Sequence, residues 1–213
     1  MKMFLSFHKQ INYSMKSLTN QFILSVLAGI SISIGCIVNL KVGCGIAGSV
    51  LFSIGLMMVV LYRYKLFTGT AGFIESIKDV FDVLFIYLIG NVIGTYIMGV
   101  YSSYFIPETS IMSETIMNAK ISESHYSILF RSILCGILMS YAVYFAKNTK
   151  NYICTVVIAV SAFIMGGFYH CIADSFYMFN SLKLEYITDY KWTTSILGNF
   201  IGCNIWRLQR VAN

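Results

Sequence analysis

Gly90-Asn91-Val92-Ile93-Gly94 and Gly198-Asn199-Phe200-Ile201-Gly202 repeat one pentapeptide pattern inside apolar segments, 108 positions apart, and this repetition limits the possible folds more than any other feature. Ala28-Gly29-Ile30 and Cys135-Gly136-Ile137 recur at nearly the same offset, 107. One half of the chain therefore repeats the other. Duplicated apolar chains build channels and transporters whose site lies between the halves near the bilayer midplane. The expectation is a pore.

The composition agrees with that reading. Hydrophobic residues make up 57% of the 213 residues and charged residues only 11%, against roughly 45–50% and about 25% in soluble domains. Most of the length is taken up by runs long enough to cross a hydrocarbon core of about 30 Å. A single integral membrane domain over 21–208 follows, with a moderately amphipathic surface segment over 1–20 and a short tail over 209–213. The segment 1–20 is too polar for the front of a signal peptide and is expected to lie on the membrane. The net charge of +6 is dispersed between apolar spans without interleaved aromatics, which excludes a nucleic-acid footprint. The six cysteines form no C-x-x-C pair and read as small buried hydrophobes. The three histidines lack metal-ligand spacing, so neither a metal nor another cofactor is expected.

Six apolar runs read as all-α spans at 21–40, 45–61, 83–105, 128–146, 152–168 and 192–206. With the N-terminus in the cytoplasm, Lys2, Lys9, Lys16, Lys78, Lys147, Lys150, Arg207 and Arg210 fall inside, and Lys41, Lys120, Lys183 and Lys191 outside. That bias puts both termini in the cytoplasm, here of a cell membrane. Three spans per copy is an odd number, so the copies run in opposite directions and form a 3+3 inverted repeat. Two segments resist a simple helical reading: Tyr62 to Gly72 after the second span, and Gly166 to Asp174 after the fifth. Each is an apolar stretch interrupted by glycine. Two broken helices at related positions are expected to mark the transport site, because irregular backbone at membrane depth survives only beside protein or a watery cavity.

Several residues in these segments carry chemistry. His170 lies deep in an apolar run, where it is costly unless it faces a cavity or a partner helix, and it titrates near physiological pH. Thr68 is its natural partner from the other copy, by a hydroxyl able to orient an imidazole or a substrate oxygen; a backbone-bonded threonine is the competing reading. Arg63 and Lys65 read as snorkelling residues, as does Arg131. Lys120 sits in the external segment between the third and fourth spans, where a cation concentrates anions or is simply solvated. Asn91 and Asn199 are polar residues of the pore or bonds between helices. Asp174, four residues beyond His170, is read either as its partner or as a cap of the half-helix.

Gly48 to Met57 running into Lys65-Leu66-Phe67-Thr68-Gly69, the run Gly167 to Met178 around His170, and both Gly-Asn segments resemble, in order, motifs of the formate/nitrite transporter family over about 21–207. The resemblance implies an aquaporin-like homopentamer with a separate pore in each protomer for small monovalent anions such as formate, nitrite or hydrosulfide. It puts the family's central histidine on His170, its threonine on Thr68 and its sixth-span asparagine on Asn199. Its vestibule lysine falls on Lys120 by counting back sixteen residues from Gly136. Its apolar constrictions fall on Phe52, Leu56, Phe67 and Phe163. The chain departs from the pattern at Gly136 and Asp174, each where the family usually has asparagine, and at Thr70 and Lys65 around the Leu-Phe-Thr-Gly run.

The expected mechanism begins with Lys120 drawing an anion to the mouth. The anion then takes a proton from or through His170 near Thr68 and passes the constrictions as neutral acid, because a bare ion pays a large desolvation cost in an apolar passage. The partners expected are small anions, protons, the lipid bilayer and further copies of the chain, and no reaction chemistry is expected. A neutral-solute pore for water or ammonia is the alternative. A membrane redox subunit, or a scaffold or sensor without flux, are further rivals.

Overall fold

The computed structural model describes residues 18–73, 83–148 and 152–207. The expected surface segment over 1–17, residues 74–82 with Lys78, and the expected tail over 208–213 lie outside the described residues, as do Lys150 and Arg210. Every regular element among the described residues is helical: α1 (Leu18–Lys41), α2 (Ile46–Leu61), α3 (Phe67–Thr70), α4 (Phe85–Phe105), α5 (Pro107–Ser122), α6 (His125–Asn148), α7 (Tyr152–Met165), α8 (Cys171–Ser181), α9 (Glu185–Thr188) and α10 (Lys191–Asn204). By length and composition, α1, α4 and the His125–Tyr144 part of α6 are long and apolar enough to cross a membrane; α2 and α7 are apolar but shorter. At 16 and 14 residues, α2 and α7 extend only about 24 and 21 Å.

The ends of α2 and α7 are built alike. After α2, Arg63 turns left-handed at φ 57°, while Arg63 N–H donates to Val60 O at 3.2 Å and Tyr64 N–H to Val59 O at 2.9 Å. After α7, Gly167 takes φ 63°, with Gly167 N–H bonded to Ile164 O at 3.1 Å and Phe168 N–H to Phe163 O at 2.9 Å. These bonds satisfy the last carbonyls of each helix and release the chain. The fifth apolar run therefore leaves the helix at Met165, before the Phe168 end expected from hydropathy, because Gly166-Gly167 supplies the stop. The chain resumes helix at Phe67 in one case and at Cys171 in the other.

The longest helix without a counterpart in the sequence reading lies between the third and fourth apolar runs; the short α9 is another. The longer one is α5, with Pro107 at its start, Glu108 in its first turn and Lys120 in its last, an arrangement suited to the helix dipole. Its polar composition carries no hydropathy signal. It packs against α8 and α4, and buries Thr109, Ser113, Met117 and Lys120.

Two helix pairs form the frame: α1 with α4, and α6 with α10, joined through α2 against α7 and α4 against α8. Both crossings are glycine contacts. A Cβ on Gly29 would run into the Asn91 carbonyl oxygen, and one on Gly136 into that of Asn199. Such close approach lets dispersion and polar contacts hold helices together where lipid offers no hydrophobic drive between them. Accordingly Ser25, Asn91, Thr95, Ser132, Ser195 and Asn199 are buried, while Ile54, Phe85, Tyr101, Phe130 and Ile158 are exposed. Apolar residues outside and polar ones inside is the arrangement suited to lipid.

Gly136 thus serves a helix crossing, which accounts physically for the glycine at that position. Gly29→Ala and Gly136→Ala are each expected to destabilise the protein by about 1–3 kcal/mol through overpacking, read as a lower thermal unfolding midpoint in detergent. Gly45→Ala, where an added Cβ meets nothing within 4 Å, is the control expected to leave the midpoint unchanged.

Candidate functional site

Asn91 and Asn199 fix the two non-helical stretches in the same way. Asn91 Oδ1 accepts from Phe67 N–H at 2.8 Å, and its Nδ2 donates to Ser25 O at 2.7 Å and to Lys65 O at 2.8 Å. Asn199 Oδ1 accepts from Cys171 N–H at 2.8 Å, and its Nδ2 donates to Ser132 O and Tyr169 O, both at 2.8 Å. Each amide spends its acceptor and one donor on backbone groups that the interruption would otherwise strand, and its other donor on a carbonyl of the neighbouring long helix. Both side chains are fully buried, and neither lines the cavity described below. Of the two roles open from sequence, they hold helices together.

His170 sits at the N-cap of α8, buried at 2% exposure. Its Nδ1 accepts from Ala173 N–H at 3.2 Å. The ring proton of the neutral imidazole then belongs on Nε2, which lies 2.9 Å from Thr68 Oγ1. In that tautomer Nε2–H donates to Thr68, and Thr68 keeps its own hydroxyl proton to give to something else. This bond joins residues 102 positions apart and ties the start of α8 to α3.

A cavity of about 220 Å³ opens beside His170. Phe52 from α2 and Phe163 from α7 meet there edge to face, with ring centroids 5.7 Å apart, and Phe163 lies 5.7 Å from the imidazole centroid. Leu56, Phe67 and Thr68 are buried and do not line the cavity. Of the four apolar residues singled out from sequence, the structure brings together Phe52 and Phe163, and leaves Leu56 and Phe67 in the surrounding core.

Lys120 and Asp174 line the same cavity, and their arrangement corrects two expectations. Lys120 is not on a solvated loop but on α5, with the residue 8% exposed. Asp174 does not pair with the His170 ring: its Oδ1 forms an ion pair with Lys120 Nζ. The other oxygen, Oδ2, accepts more weakly from Tyr186 Oη at 3.4 Å and Ser195 Oγ at 3.5 Å. The i, i+4 register brings the Asp174 N–H to the His170 carbonyl, at 2.8 Å, but the carboxylate turns toward α5. The Lys120 ammonium also lies 4.3 Å from the Tyr169 ring centroid and 5.8 Å from that of Tyr177, a favourable seat for a cation.

Arg131 is also tied more closely than a snorkelling residue. Its Nη1 donates to Gly167 O at 3.1 Å, its Nε to Ser127 Oγ at 3.3 Å, and Glu123 approaches to 3.7 Å. Its guanidinium thus braces the turn that follows α7. Asn39, Tyr169, Tyr177, Tyr186 and Ser195 also build the site without having been singled out. Tyr169 and Tyr177 lie within the Gly167 to Met178 run, so nearness to His170 was the one signal for them; Asn39, Tyr186 and Ser195 come from distant elements and carry no local signal. Among the described residues no group of three or more histidine, cysteine or acidic side chains is placed to hold a metal ion.

The Asn199 clasp has a direct test. Asn199→Ala strands the Cys171 N–H and the Tyr169 carbonyl and is expected to destabilise the protein by about 2 kcal/mol. Asn199→Asp is expected to do no better, since a carboxylate cannot donate to Ser132 O and Tyr169 O. Thermal unfolding of the solubilised protein measures both.

Comparison with known proteins gives one consistent family. The sequence model of the formate/nitrite transporters matches residues 3–207. A formate-nitrite transporter of Entamoeba histolytica is 28% identical over 210 residues, covering 86% of this chain and 58% of the relative. The chain therefore spans less than two thirds of that relative's length. A formate channel of Bacillus thuringiensis is 23% identical over 212 residues, covering 88% of this chain and 82% of that one. Among solved structures, a pentameric formate channel with formate bound aligns with a TM-score of 0.80 at 18% identity, over 93% of this chain and 98% of the other. An ion channel of the same family aligns with a TM-score of 0.82 at 20% identity, over 94% and 92%.

Proposed function

The chain belongs to the formate/nitrite transporter family, and from that premise we propose that it is a membrane channel or transporter for small monovalent anions of weak acids, of the formate, nitrite and hydrosulfide kind. We read the frame as a 3+3 inverted repeat with two broken helices. In support, the turns after α2 and α7 and the asparagine clasps recur at constant spacing, from Arg63 to Gly167 and from Phe67 to Cys171. We read the assembly as a homopentamer with one pore per protomer, in a cell membrane with both termini cytoplasmic. The pentameric solved relative supports the count.

The observation that carries the functional reading is the bond from His170 Nε2 to Thr68 Oγ1, 2.9 Å long, beside a cavity walled by Phe52 and Phe163 on one part and Lys120 on another. The proposed sequence of events uses these groups in turn. Lys120 offers the anion a cation in a low-dielectric wall, where such attraction is strong. Thr68, already accepting from the imidazole, keeps its own hydroxyl proton to donate as a hydrogen bond once the anion advances past the resting cavity, which Thr68 does not line. The chain of Nε2–H, Oγ1–H and anion spreads the charge by hydrogen bonding, the net proton that neutralises the anion is drawn from water at the mouth while the imidazole keeps its own, and the acid passes Phe52, Phe163, Leu56 and Phe67 without the full desolvation cost of an ion. The Ala173 N–H on Nδ1, together with the α8 N-terminus, favours the neutral imidazole, so in this scheme His170 acts as a donor through Thr68 rather than as a standing cation.

Formate and hydrosulfide flux into proteoliposomes, followed against pH in the wild type and in His170→Asn, tests the scheme. A changed pH profile in the variant is expected; an unchanged one removes the histidine from the proton path. A native mass of five copies of the 24.0 kDa chain is expected for the purified assembly. One observation favours a neutral-solute pore instead: the cation facing the cavity is already paired with Asp174. If small anions neither permeate nor compete while water or ammonia passes, that reading replaces the first.

A further inference from the structure

Lys120 is the one cation among the described residues lining the cavity, and its ammonium is paired with the carboxylate of Asp174. Asp174 is 1% exposed and lines the same cavity. We propose that Asp174 is a resident counter-ion occupying the seat on Lys120 that an entering monocarboxylate needs, so that the permeant anion binds only by displacing it. The inference rests on the anion-transport reading and deepens it: Asp174 sets the affinity and the anion selectivity of the entry site.

Three features of the geometry carry this. The occupant and the proposed ligand are chemically alike, since an aspartate carboxylate and formate present the same pair of acceptor oxygens to an ammonium. The displaced carboxylate has somewhere to go: Tyr186 Oη and Ser195 Oγ already stand 3.4 and 3.5 Å from Oδ2, at the outer limit of hydrogen bonding. Both contacts are to the oxygen that does not hold Lys120, so they remain available to a carboxylate released from the ammonium. The ammonium, for its part, keeps the Tyr169 ring at 4.3 Å whichever carboxylate it holds. Because ligand and side chain exchange one carboxylate for another, Lys120 is never left unpaired in the cavity wall.

The consequence for affinity follows from competition. A site free for only a fraction of the time binds its ligand more weakly by that fraction. Removing the carboxylate charge therefore tightens anion binding, and removing the lysine as well abolishes the gain. Removing the carboxylate charge alone also gives the cavity wall a net positive charge, which raises the local anion concentration.

Titration calorimetry of sodium formate into the purified full-chain assembly reads this directly. Asp174→Asn is expected to bind formate about ten-fold or more tightly than the wild type, and Asp174→Asn with Lys120→Gln is expected to lose that gain. Equal, weaker or undetectable binding in Asp174→Asn overturns the proposal. Elution volume and thermal unfolding establish that each variant is assembled. If Asp174→Asn does not assemble, the pair Tyr186→Phe and Ser195→Ala takes its place. It deprives the displaced carboxylate of its second seat and is expected to weaken formate binding several-fold; unchanged binding there overturns the proposal equally. Formate flux in proteoliposomes from the same preparations reads the transport proposal separately. Tighter binding without flux in either protein keeps the counter-ion and removes transport, whereas flux with unchanged affinity does the reverse.

Discussion

A chain that leaves helical geometry inside an apolar protein must find partners for the backbone groups it frees, and in this structure two asparagine amides supply them. Each unpaired N–H or C=O in hydrocarbon costs several kcal/mol, more than any single packing contact around it returns. Asn91 closes Phe67 N–H and Lys65 O onto α1 through Ser25 O. Asn199 closes Cys171 N–H and Tyr169 O onto α6 through Ser132 O. The flanking glycines belong to the same device. Only where Gly29 and Gly136 let the helices touch can an amide reach the neighbouring helix and the interrupted strand of chain together. The position of the histidine, the cavity and the ion pair all depend on these two points.

The two clasps impose a correspondence that the chemistry then breaks. With Phe67 matched to Cys171 by their common acceptors, Leu66 falls opposite His170 and Thr68 opposite Ile172. Imidazole and hydroxyl thus come from non-equivalent positions of the two segments, and they meet in the bond from His170 Nε2 to Thr68 Oγ1. On the proposed inverted-repeat reading, substitution at one position in each segment gives a polar pair where the matched position has leucine or isoleucine. Lys65 and Tyr169 diverge in the same way, and Tyr169 supplies the ring on which Lys120 rests.

Local pattern carried much of this fold. Lipid-facing helices must be apolar along their length, so hydropathy located the ends of the six long apolar helices to within about three residues; at the end of the fifth run, paired glycines rather than a fall in hydropathy stop the helix at Met165. The Gly-Asn motif was visible because close approach and backbone clasping demand two residue types at fixed spacing, although the sequence left open whether the amides face a pore or a helix. What was not legible depends on tertiary approach. α5 is polar and gives no hydropathy signal, so Lys120 reads as solvated until α8 is seen packed beside it. The pairing of Lys120 with Asp174 spans 54 positions, whereas the local alternative, Asp174 with His170, spans only four and is the one a helical register suggests. Arg131 likewise reads as an interfacial cation until the Gly167 carbonyl is found beneath it.

The departures at Gly136 and Asp174 have separate physical causes. Gly136 answers to the helix crossing, where nothing larger fits. Asp174 answers to charge: breaking a buried ion pair by removing one partner costs about 3–5 kcal/mol, so an ammonium as enclosed as that of Lys120 rests more comfortably against a carboxylate than against an amide. That comfort opposes ligand capture, because an anion arriving at a satisfied ammonium gains only the difference between two similar pairs. A neutral side chain at position 174 leaves the lysine more dependent on the substrate, favouring affinity over resting stability; an acidic one reverses the balance. An anion entering by exchange needs no moment at which either charge stands alone, and this is the physical reason a cavity can hold a closed ion pair at rest and still admit an anion.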